Sequence, residues 1–95
     1  MGLKALITLD LPGLSDDEDG EKKRDRFYDS LKDEKWIKID ELTTAWKASF
    51  SDGVSIQDAL IVLQKDMVKA KQASKITSVK YAIQIGDNNV AVLYI

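Results

Sequence analysis

Twice along this chain the apolar residues change from a spacing of two to a spacing of three and four, and twice they change back. This constrains the fold more than any other feature, because a strand repeats its face every second residue and a helix every three to four. In "LKALITLDL", residues 3–11, Leu3, Ala5, Ile7, Leu9 and Leu11 fall on one side, and Lys4, Leu6, Thr8 and Asp10 on the other. That is a strand pattern, and Pro12 and Gly13 end it. Residues 14–19 read as a loop, with Asp19 placed to cap a helix over 21–34. In that helix Phe27 and Leu31 form an i, i+4 stripe widened by Tyr28, and the remaining residues are charged.

The period then returns to two. "WIKIDEL" (36–42) and "TAWKASF" (44–50) read as two strands with a tight connection at 41–43. Ser51, Asp52 and Gly53 make a turn, and "SIQD" at 55–58 has the spacing of a capping box, with Asp in place of Glu. From Ile56 to about Ala73 the residues Ile56, Ala59, Leu60, Leu63, Met67 and Ala70 keep helical spacing. Residues 77–86 alternate once more, "GDNN" suits a hairpin turn, and "VAVLYI" (90–95) reads as a closing strand that is apolar on both faces.

The order is β-α-β-β-α-β with one further strand. It predicts an α+β fold, a ferredoxin-like sandwich in a single domain spanning 1–95. Right-handed crossovers place both helices on one face of an antiparallel sheet, so the face bearing Lys4, Thr8 and Asp10 looks away from them.

Composition limits the chemistry. The 95 residues contain no cysteine and no histidine. Disulfides, thiolate zinc sites, cysteine nucleophiles and histidine-based acid–base catalysis are excluded. Carboxylates, Lys, Arg, Tyr, Ser and Thr remain, together with hard cations held by oxygen. The net charge of −2 does not favour a general nucleic-acid binder. No apolar run is long enough to cross a membrane, and the N-terminus lacks the apolar block of a signal peptide. Position 6 is Leu rather than Ser or Thr, which argues against myristoylation of Gly2. A cytoplasmic protein is expected.

Several residues are candidates for a site. Asp10, at the end of the first strand on the face opposite the helices, is placed to hold a divalent cation, and a two-fold dimer would bring two copies of it together. "SDDEDG" does not fit a calcium loop, because the twelfth position is Arg26 where the template needs Glu. Lys22, Lys23, Arg24 and Arg26 cluster at a helix start, where phosphates bind, although neighbouring acids cancel much of their field. Lys65, Lys69 and Lys75 form a weaker basic stripe. Trp36 and Trp46 lie on strands and suit core or dimer packing. No glycine loop of a phosphate-cradling kind is present.

"KALITLDL", "EKKRDRFYDSLKDEKW", "IKIDELTTAWKASF" and "SIQDALIVLQKDM" together resemble the small ferredoxin-fold subunit of CRISPR adaptation complexes and the related VapD toxin-type proteins. The resemblance implies a ferredoxin fold, a metal-linked Asp at Asp10, a basic helix start at Arg24 and Arg26, and a late strand that joins a partner subunit. Two functional expectations follow, the first from the closing strand "VAVLYI", apolar on both faces, and the second from Asp10 and the basic helix start. The first is a non-catalytic homodimeric interaction module without a cofactor, with Trp46, Val92 and Tyr94 at its interface. The second is a Mg²⁺-dependent nuclease or nucleic-acid-binding subunit, with Asp10 on the metal and Lys23, Arg24 and Arg26 on phosphates.

Overall fold

The fold is seen in a computed structural model that describes residues 2–39 and 44–87. The elements are β1 (Lys4–Asp10), α1 (Glu18–Asp33), β2 (Ile37–Lys38), β3 (Ala45–Ser49), α2 (Ile56–Ser74) and β4 (Lys80–Gly86). The strands form one antiparallel sheet in the order β2-β3-β1-β4. This is the expected ferredoxin-like α+β arrangement. The connection at 41–43, the end of the strand read over 36–42, and the closing strand over 90–95 lie outside the described residues.

The register shows which side chains share a face. Ile7 stands opposite Trp46 on β3 and Ile83 on β4, and Ala5 opposite Ala48 and Ile85. Ala5, Ile7, Leu9 and Trp46 meet Phe27 and Leu31 of α1 and Leu63, Met67 and Ala70 of α2 in one apolar cluster. Both helices therefore cover the same side of the sheet. Each large side chain buried there contributes about 1.5–3 kcal/mol relative to exposure, which drives the two layers together. The other side presents Lys4, Leu6, Thr8 and Asp10, flanked in register by Lys47 and Ser49 of β3 and by Lys80, Ala82 and Gln84 of β4. Ile56, read as part of the α2 stripe, is the first helical residue and is exposed.

The start of α1 differs from expectation. Asp17, not Asp19, is the N-cap, and the helix begins three residues earlier, at Glu18 instead of 21. Three neighbours explain this. The Ser15 hydroxyl donates to Asp17 Oδ1 at 2.6 Å, and the Gly20 N–H donates to the same oxygen at 3.0 Å. Gly20 then rests on the Ser15 carbonyl so closely that a Cβ would lie 1.8 Å from its oxygen. Only glycine fits there, and it lets the acidic loop fold back onto the helix. The Ser15 hydroxyl first, and the Gly20 N–H second, hold the Asp17 carboxyl below its ordinary range. Asp19 instead pairs with Lys23, one turn along.

α2 begins as read. Ser55 is its N-cap, and its hydroxyl accepts from the Asp58 N–H at 3.1 Å. The helix ends with Lys75 in the left-handed region, at φ 61°. Just beyond α1, Trp36 is buried, and its indole N–H donates to Asp66 Oδ2 of α2 at 2.9 Å. This bond fixes the chain entering β2 against the second helix.

Candidate functional site

Two surfaces could engage another molecule. The first is at the end of β1. Asp10 stands in register with Lys80, and around this end of the sheet Thr8, Asp10, Thr44, Lys80 and Tyr81 border an open concavity of about 720 Å³. Around the strand end, Asp10 also borders a smaller cleft of about 130 Å³ with Arg24, Tyr28 and Thr44. Asp10 and Arg24, far apart in sequence, therefore line one recess. Burial pushes the Tyr28 hydroxyl above its ordinary range, and the Arg24 guanidinium partly opposes that shift.

The other two residues of the basic set go elsewhere. Successive helical positions differ by about 100°, so Lys23, Arg24 and Arg26 leave α1 in three directions. Lys23 is paired with Asp19 at 3.4 Å and borders a separate cleft with Ser15 and Lys75, and Arg26 is exposed. Among the described residues no three carboxylates gather as cation ligands, and Asp10 is the one acid that lines either recess. A carboxylate, a guanidinium and two hydroxyl groups can bind a small polar group in this recess. Trp46, expected at an interface, is 0% exposed. It packs inside the helix–sheet core with its ring 5.3 Å from that of Tyr28, out of reach of a second copy. Val92 and Tyr94 lie outside the described residues.

The second surface was missed in the sequence. On α2, Ile61 and Val68 are 50% and 54% exposed and sit two turns apart on the side opposite the core stripe. With Gln64, Lys65, Lys69 and Gln72 they line a shallow groove between the helix's own side chains along its outer face. The signal was present: "LIVL" at 60–63 carries four apolar residues in one turn, more than a single buried stripe can use. Lys69 also reaches Glu34 at the end of α1 in an ion pair that raises the affinity of its ammonium for its proton.

Neither a protein family nor a curated protein matches the chain. Among solved structures it is similar to protein SP2199 from Streptococcus pneumoniae, with a TM-score of 0.57 and 12% identity over 95% of this chain and 90% of that one. At this identity the likeness concerns the fold alone. Among the described residues, no helix is long and apolar enough to cross a membrane.

Proposed function

We propose that this chain is a non-catalytic interaction module that offers the outer face of α2 to a partner. The observation that carries the reading is the aligned exposure of Ile61 and Val68. Neither side chain helps to close the core, and each keeps in water an apolar area whose burial would be worth about 1 kcal/mol or more. Such a pair at two-turn spacing is what an incoming helix uses as a seat.

Photo-crosslinking in cells of the source organism tests this. A crosslinking residue at Gln64, inside the groove, is expected to give discrete adducts that disappear in the Ile61→Ser, Val68→Ser double variant. The same residue at Asp29, on the outer side of α1, is expected to give none. Equal labelling at both positions would remove the reading.

A second copy is a further partner in this proposal, through the sheet and not through α2. The sequence supports this: "VAVLYI" (90–95), read as a closing strand apolar on both faces, carries more apolar surface than one small domain readily covers. Light scattering across rising protein concentration is expected to report twice the chain mass. A monomer throughout would rule out this self-pairing.

A further inference from the structure

We infer that the partner of α2 is an acidic amphipathic helix from another protein, one that sets apolar side chains on Ile61 and Val68 and carboxylates on the surrounding lysines. The inference rests on the reading of α2 as the binding face, and adds the chemistry of what sits there.

Charge supports the assignment. From Leu60 to Lys75 the charged residues are Lys65, Asp66, Lys69, Lys71 and Lys75. The one acid, Asp66, turns inward to the Trp36 indole. Lys69 is held by Glu34, and Asp58 is exposed in the first turn of the helix, so among the described residues Lys65, Lys71 and Lys75 carry the unpaired positive charge of this stretch, although the whole chain carries −2. Lys65, which borders the groove, makes no ion pair among the described residues. Lys65 lies between Ile61 and Val68, so an apolar ridge entering the groove brings its flanks within reach of that ammonium.

The same arrangement argues against other occupants. If two α2 faces paired about a two-fold axis, the Lys65 side chains would meet each other, which is unfavourable. The outer side of α1 cannot fill the groove, because none of its residues is a large exposed apolar one. An anionic bilayer is flat and would lie across both helices, which pack side by side. On α1 it would meet Glu18, Asp19, Glu21, Asp25, Asp29 and Asp33, all exposed, against the exposed bases Lys22, Arg26 and Lys32. A single helix touches α2 and avoids those acids.

The test uses three designed helical peptides with one shared leucine stripe and with Glu, Lys or Ser at the flanking positions. Each is titrated into the full chain and followed by backbone amide shifts. The Glu peptide is expected to shift amides over residues 60–72, to bind about tenfold more tightly than the Ser peptide, and to weaken as salt rises. In the Lys65→Glu, Lys71→Glu variant, checked for an unchanged thermal melt, the preference is expected to reverse toward the Lys peptide. Binding at α2 by all three peptides alike would overturn the acidic assignment and leave the interaction face standing. No shift at α2 with any peptide would overturn both. Sedimentation of the chain with phosphatidylserine vesicles, lost in the same variant, would overturn the helix assignment in favour of a lipid surface.

Discussion

Replacing Trp46 with alanine is expected to remove about 3–5 kcal/mol of unfolding free energy. A domain of this size has only about 5–15 kcal/mol in hand, so the variant should lose much of its resistance to urea. The cause is position. Trp46 is fully buried, stands opposite Ile7 on the central strand, and packs on Tyr28 of α1, so it bridges sheet and helix. Phenylalanine should behave differently. The Trp46 indole N–H has no hydrogen-bond partner among the described residues, and an unpaired buried donor costs about 1–3 kcal/mol. Trp46→Phe removes that cost while it gives up some packing, and the two effects are of similar size. The phenylalanine variant is therefore expected within about 1 kcal/mol of the parent. Urea unfolding followed by circular dichroism measures both. If phenylalanine were as damaging as alanine, the indole N–H would have to be satisfied in solution.

The second large effect concerns Asp66. Asp66→Ala leaves the Trp36 N–H buried without its acceptor and should cost about 1–3 kcal/mol. Asp66→Asn keeps an acceptor oxygen and removes a desolvated charge. Burial pushes the Asp66 carboxyl above its ordinary 3.8, with the Trp36 N–H pulling the other way, Glu34 adding to the rise and Lys69 opposing it. A carboxyl whose pKa is raised by folding binds its proton more tightly in the native state. Its contribution to stability is then present below the unfolded pKa and is lost as pH rises through the folded one. The asparagine variant does not titrate. Its stability relative to the parent is therefore expected to improve between acid and neutral pH, as read from urea midpoints at the two ends. A difference that stays constant with pH would mean that Asp66 is not the titrating group.

Much of the fold was legible because periodicity records which side of an element is buried. The alternation of Ala5, Ile7 and Leu9 and the Phe27–Leu31 pair mark out strand and helix, and the element order with right-handed crossovers then places both helices on one side of the sheet. Capping was read less well. Asp19 and Asp17 both suit an N-cap, and what decides between them is the seat of Gly20 on the Ser15 carbonyl, a tertiary contact with no sequence period. The site was half legible. Asp10 and Arg24 do border one cleft, but a run of basic letters does not reveal that Lys23 and Arg26 turn elsewhere. Trp46 has an ambiguous pattern, since an aromatic on a strand suits a core as well as an interface. The outer line of α2 was legible in principle as a surplus of apolar residues in one turn, but Ile61 and Val68 fall outside the stripe that the helical spacing picks out.

The place of β1 in the middle of the sheet has a consequence for how the chain comes to be folded. Its two neighbours are β3 and β4, and Lys4 lies opposite Gly86. β1 thus waits for β4, made much later, before its second edge is satisfied. Pairings between such distant positions form slowly, because a large loop must close before any contact compensates for it. Until then the apolar residues of β1 remain open to chaperones and to neighbouring nascent chains, and the sheet closes only once β4 is available to pair.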